Sequence, residues 1–228
     1  MVQSSQTSDG SNPARILLPV VLAFLLPLLS GCRFMVAAGK MVLGDPINTS
    51  TFEFKTGISL RDSGDPLLIV CTAPHRTLSK FPAIQLEIVE RISRNLEAQE
   101  VNVVSPDDVA TWFDDRGEWG DFSELADHFD APYVLHVDLR SFTYLEPASP
   151  DLMRGRSEGT VKVFRFGDDS SGMQDAVFEQ NLKVNFPETY PVPRESGSVE
   201  HFVDNLLDRI SLQVSQMLYD HRLRDTIF

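Results

Sequence analysis

The chain has 228 residues, 42% of them hydrophobic and 23% charged, with a formal net charge of −13 and a sequence pI near 4.7; the proportions are those of a globular protein. So acidic a chain lacks the Lys/Arg excess needed to neutralise nucleic-acid phosphates, and nothing in its charge draws it to an anionic bilayer. Positions 1–31 carry Arg15 and Asp9, so removing them leaves the net charge unchanged.

Residues 1–15 are polar with one cation, and Ile16 to Leu29, ILLPVVLAFLLPLL, carry no charge. The run is shorter than the roughly 20 apolar residues of a spanning helix and is broken by Pro19 and Pro27. A cationic start, a short apolar stretch and small residues at Ser30 and Gly31 predict a secretory signal rather than an uncleaved anchor. Leu29-Ser30-Gly31-Cys32 resembles the lipobox of bacterial lipoproteins. The resemblance implies a diacylglycerol thioether on Cys32, cleavage before it and acylation of the new amino terminus (palmitate among the chains). Several chains at about 0.8 kcal/mol per buried methylene make a lasting anchor. Arg33, rather than an Asp, follows Cys32, which by the enteric sorting rule implies the outer membrane over the inner.

Residues 33–65 mix Gly, Asp, Pro, Asn, Thr and Ser without a period and read as a tether, docked at most through Phe52 and Phe54. LLIV, Leu67 to Val70, predicts a strand buried on both faces. Cys71, which ends that run, reads as a buried, inert thiol, and there is no C-x-x-C or disulfide framework. Pro82 opens a helix with Ile84, Ile88, Val89, Ile92 and Leu96 on one face and the pairs Glu87–Arg91 and Glu90–Arg94 on the outer one. VNVV, Val101 to Val104, predicts the next strand. Ser105 then caps a short helix with Pro106 first inside it, and Asp121 with Glu124 forms a capping box for another, lined by Phe122, Leu125, Ala126 and Phe129.

PYVLHVDLRSFTYLE alternates as one long strand whose apolar phase switches after Leu139, so a bulge is expected near Ser141. EGTVKVFRFG and AVFEQNLKVNFP predict a hairpin across the turn residues of DDSSGMQD. A Pro-rich loop, PETYPVPRESGS, follows. Ser198 then caps a long helix with Val199, Phe202, Val203, Leu206, Ile210, Val214 and Met217 as its stripe. The element order β-α-β-α-β-β-β-α predicts an α/β (α+β) domain with a mixed sheet and helices packed on it. The expected organisation is a signal peptide over 1–31, a lipidated tether over 32–65 and one domain over 66–228.

Residues that could carry chemistry are few. His136 and Asp138, two apart on one strand, share a sheet face with His128 nearby in sequence; an acid–base or metal site is one reading, and polar residues on a solvated strand face are the other, preferred one. Asp107/Asp108 and Asp114/Asp115 could pair as catalytic carboxylates, but the first pair suits a helix's first turn and the second opens a loop. Trp112, Arg116 and Trp119 could form a partner-binding epitope, although Trp112 lies three after Val109 and reads first as core. His75 and Arg76 sit in the Cys71–Lys80 loop after the first strand, where α/β proteins often bind ligands. That loop has two prolines and no glycine, which makes a poor anion cradle. No Gly-rich phosphate loop, G-x-S-x-G or H-E-x-x-H is present.

The segments DPLLIV, IVERISRNLEAQEVNVVSPDDV and SELADHFDAPYVLHVDLRSF resemble the periplasmic domain shared by the N-terminal domain of TolB, the curli-assembly lipoprotein and lipoprotein activators of penicillin-binding proteins. His128-Phe129-Asp130-Ala131 lacks the Gly of that pattern, and His136 stands where a small residue is usual. The resemblance implies a non-enzymatic adaptor domain and transfers no functional residue. The expectation is thus a lipid-anchored envelope protein without cofactor or metal. Its contacts would be the membrane through Cys32, an envelope protein and, in one arrangement, further copies of itself. A small-ligand binder or hydrolase using the Cys71–Lys80 loop with His136 and Asp138 is the alternative. A pore built from donated hairpins is disfavoured, because the turn around Asp168–Gly172 is short and acidic.

Overall fold

The computed structural model describes residues 47–116, 121–167 and 176–222, and the unit Asn48–His221 is built on a mixed sheet. Its strands are β1 (Leu67–Thr72), β2 (Tyr133–Glu146), β3 (Ser149–Arg165), β4 (Phe178–Phe186) and the short β5 (Val192–Pro193). The order in space is β1-β2-β3-β4, with β5 beside β3. β1 runs parallel to β2, from Leu67 opposite Tyr133 to Thr72 opposite Asp138. β2, β3 and β4 are antiparallel, as short links require. The expected mixed α/β architecture is the one formed.

Helices cover both faces of the sheet, which explains why β1 is apolar along nearly its whole length. On one face Leu67, Ile69, Tyr133, Leu135, Val137 and Leu139 meet Ile84, Ile88, Ile92 and Leu96 of α4 (Ile84–Glu97) and Leu206, Ile210 and Val214 of α7 (Val199–Ser215). On the other, Leu68, Val70 and Val134 meet Val109 and Trp112 of α5 (Pro106–Arg116) and Leu125 and Ala126 of α6 (Phe122–Phe129). The apolar stripes read from α4 and α7 therefore face the core. The β2–β3 register shifts between Leu139 and Ser141, at the expected bulge, and Phe142 returns to the interior beyond it. Among the described residues no helix is long and apolar enough to cross a membrane.

Several segments differ from expectation. The folded unit begins at Asn48, not at Pro66, because two short helices, α1 (Thr51–Thr56) and α2 (Leu60–Ser63), precede β1. Ser50 and Ser59 cap their starts, Gly57 and Gly64 close them at φ 69° and 68°, and Phe52 and Leu60 enter the core. Val101–Val104 shrinks to a single parallel bridge between Val103 and Leu67. Leu67 N–H donates to Asn102 O, and Val104 N–H donates to Leu67 O. The ladder cannot continue, since Ser105 and Pro106 start α5, with Asp108 N–H donating to Ser105 Oγ. One helical turn, α3 (His75–Leu78), forms inside the Cys71–Lys80 loop. β3 begins at Ser149, well before Glu158, and its extension gives Leu152 and Met153 to β5 of the Pro-rich segment. Arg91 does not lie on an outer face. It bridges α4 to α7, reaching Glu87 (3.3 Å), Asp208 (2.8 Å) and Asp204.

Candidate functional site

On the second face of the sheet the apolar residues give out where α5 and α6 end, and a polar cluster takes over. Leu68 and Val70 of β1 are followed on that face by Thr72; Val134 of β2 is followed by His136 and Asp138. The parallel register sets Val70 opposite His136 and Thr72 opposite Asp138. Thr72 Oγ1 lies 2.8 Å from His136 Nε2 and donates to Asp138 Oδ1 at 3.3 Å. The His136 ring packs on Phe122 of α6, centroids 4.9 Å apart. His136 and Asp138 thus share a face as expected, but half-buried rather than fully solvated. Thr72, the residue that joins them, ends β1 and is not legible without the β1–β2 register.

The Thr72 hydroxyl carries one proton and stands within reach of two acceptors, the Asp138 carboxylate and, in one tautomer, His136 Nε2. In the triad of a nucleophilic hydroxyl the carboxylate sits on the histidine's other ring nitrogen, whereas here it stands on the hydroxyl itself. Cys71, next to Thr72, is no better placed. Burial, then Asp138, pushes its thiol up to about 12, so at neutral pH it is protonated and a poor nucleophile.

The same environment makes His136 acid-sensitive. Burial lowers its pKa below the ordinary 6.5, Asp138 restores part of that, and Lys162 lowers it again. The unfolded chain therefore binds a proton that the folded chain resists, and stability falls as pH drops through 6.5 toward the folded value. Acid-unfolding curves of His136→Gln are expected to lack this part of the decline. Identical wild-type and variant curves would remove the assignment.

The other candidates do not join this cluster. His75 and Arg76 lie exposed on α3, where Arg76 Nη2 donates to Arg140 O at 3.0 Å. Asp107 and Asp108 sit in the first turn of α5 and Asp114 and Asp115 in its last turns, since the helix runs on to Arg116. Trp112 is core: it packs with Leu125 and Ala126, and the Arg116 guanidinium covers its ring at 5.3 Å. His128 meets Phe129 edge-on at 4.7 Å. Arg116, Trp112 and His128 line a shallow groove of about 540 Å³ with Asp108 and Asp115. A second depression of about 340 Å³, lined by Cys71, Gln85, Leu86, Ala110 and Phe113, separates α4 from α5. Among the described residues no three of His, Cys, Asp and Glu gather as a metal-binding group. Cys32 and Trp119 lie outside the described residues.

No protein-family model matches the chain, and no curated protein matches it in sequence. Solved structures similar to it include a PelC dodecamer from Paraburkholderia phytofirmans, 11% identical over 76% of this chain and 97% of that one, with a TM-score of 0.45. A minor lipoprotein from Acinetobacter baumannii is 12% identical over 68% and 90% of the two chains, at a TM-score of 0.36. Lipoprotein GNA1162 from Neisseria meningitidis is 9% identical over 66% and 98%, at 0.39.

Proposed function

We propose that this chain is a bacterial lipoprotein, held to the outer membrane by acyl chains on Cys32 and facing the periplasm, where its domain works as a non-enzymatic binding or assembly module. One observation carries the reading. The uncharged run Ile16–Leu29 closes on Leu29-Ser30-Gly31-Cys32, and the only other cysteine, Cys71, is buried. A body of net charge −13 is repelled by anionic headgroups, so an anchor has to be hydrophobic. The role without catalysis is supported by the position of the Asp138 carboxylate on the Thr72 hydroxyl and by the protonated Cys71 thiol. The resemblance of the β1–β2 region to the domain of TolB and the curli-assembly lipoprotein agrees with an adaptor role. With the folded unit starting at Asn48, the chain from Cys32 to Asn48 spans no more than about 58 Å, even fully extended.

The test is the mature amino terminus. Mass spectrometry is expected to find the chain starting at acylated Cys32, and Cys32→Ala to move the protein from the membrane to the soluble fraction. An unmodified Cys32, or a membrane-bound Cys32→Ala, overturns the anchor. Crosslinked envelopes yielding the monomer alone overturn the binding role.

A further inference from the structure

The sheet's far edge is β4, whose residues Glu179, Asn181 and Lys183 are exposed while Phe178, Leu182 and Val184 are buried. Two side-chain contacts reveal which way its backbone faces. Lys55 Nζ donates to Glu179 O at 3.4 Å, and Gln213 Nε2 donates to Lys183 O at 3.3 Å. Neither donor belongs to β3, so these carbonyls point away from the sheet, and Asn181, two residues from each, shares their side. Among the described residues the outward groups form a ladder without a partner strand, covered at its two ends by the tips of the Lys55 and Gln213 side chains.

We propose that β4 pairs antiparallel with β4 of a second copy, about a two-fold axis through Asn181. The charge pattern of the strand sets the register. In the register centred on Asn181, Glu179 stands opposite the partner's Lys183, and Lys183 opposite the partner's Glu179. Registers centred one residue to either side match neither charge. Within one copy Glu179 already meets Lys162 at 3.5 Å, and Lys183 meets Glu158 at 3.8 Å. Pairing therefore extends each bridge into a row of alternating sign: Lys162, Glu179, the partner's Lys183, the partner's Glu158. Opposite charges directly across an antiparallel pair stabilise it. The pairing also closes on itself about the two-fold axis and leaves neither copy's β4 edge unpaired. Two exposed apolar residues flank the same end of β4: Val177 precedes it, and Phe54, 81% exposed, neighbours Lys55 on α1. The inference deepens the assembly reading by naming the partner as a second copy. If both copies are lipid-anchored, confinement to one membrane raises their effective concentration against the repulsion of two acidic bodies.

Cysteine crosslinking of the full chain in membranes tests it, with the wild type as background. Asn181→Cys lies on the two-fold axis and is expected to give a homodimer with a short bis-maleimide. Asn185→Cys, on the same side of the same strand, is expected to give none, because its two copies stand roughly 25 Å apart along the ladder. Adding Lys183→Glu to Asn181→Cys is expected to lower the yield of the product, because the partner's Glu179 then faces a like charge. No Asn181→Cys homodimer, or an equal yield from Asn185→Cys, overturns the proposal. So does capture of a different protein by the Asn181→Cys variant, which would leave the binding role intact with another occupant on the edge. The status of Cys32 is read separately and bears on the anchor alone.

Discussion

Phe52→Ala is expected to lower the unfolding free energy by about 4 kcal/mol, the range for deleting a fully buried aromatic ring, while Phe54→Ala changes it by no more than about 0.5 kcal/mol. The two residues are neighbours on a short helix in a stretch whose composition reads as tether, and a tether would tolerate both changes equally. The structure separates them: Phe52 is 0% exposed and Phe54 81%. The Phe52 ring meets Phe178 of β4 edge-on at 5.6 Å, a geometry that adds to the burial. Its N–H donates to Met217 O at 2.9 Å, which ties α1 to the end of the C-terminal helix. Urea denaturation of the two variants decides the domain boundary. Equal midpoints would return residues 48–65 to the tether.

The contrast shows what kind of element could be read from the sequence. α4 and α7 repeat their apolar spacing over several turns, and each turn adds evidence for the face that is buried. β2 does so at period two, and its break of phase at Ser141 is visible for the same reason. α1 and α2 are too short for a period to establish itself. Their signals are local instead: Ser50 three before Glu53, Ser59 three before Asp62, and a glycine closing each. Val101–Val104 misleads in the opposite way, being strand-like in composition but left without room for a ladder by Ser105 and Pro106, which start α5. The candidate site divides along the same line. That His136 and Asp138 share a face follows from alternation alone, whereas Thr72 joins them only through the parallel register with β1, a pairing across 60-odd residues that no local pattern encodes. The Glu179–Lys162 and Lys183–Glu158 bridges are likewise products of register.

Gly159→Ala is expected to cost about 3 kcal/mol, the upper part of the range for forcing atoms into a packed site. A β-carbon at Gly159 would stand 2.4 Å from Asp138 O and 3.3 Å from Leu139 Cα, which are backbone atoms of the neighbouring strand. Neither can rotate away, so the β2–β3 ladder itself has to move, just ahead of the bulge at Leu139–Ser141. At a roomier position the same change would be favourable by about 0.4–1 kcal/mol through the unfolded state, so the contact sets the sign. Gly155 provides the comparison. Its β-carbon would meet Leu206 at 2.5 Å, closer than the Leu139 contact, but the atoms met are the branched end of a side chain that can repack. Gly155→Ala is therefore expected to cost about 1 kcal/mol. The two variants also differ in reach. Asp138 receives the Thr72 hydroxyl and supports the charged form of His136. Displacing its peptide by way of Gly159 is expected to shift the His136 titration seen by NMR, whereas Gly155→Ala leaves it in place. A Gly159→Ala chain as stable as wild type, with an unmoved His136 titration, would mean that the β2–β3 ladder yields where close packing against Asp138 says it cannot.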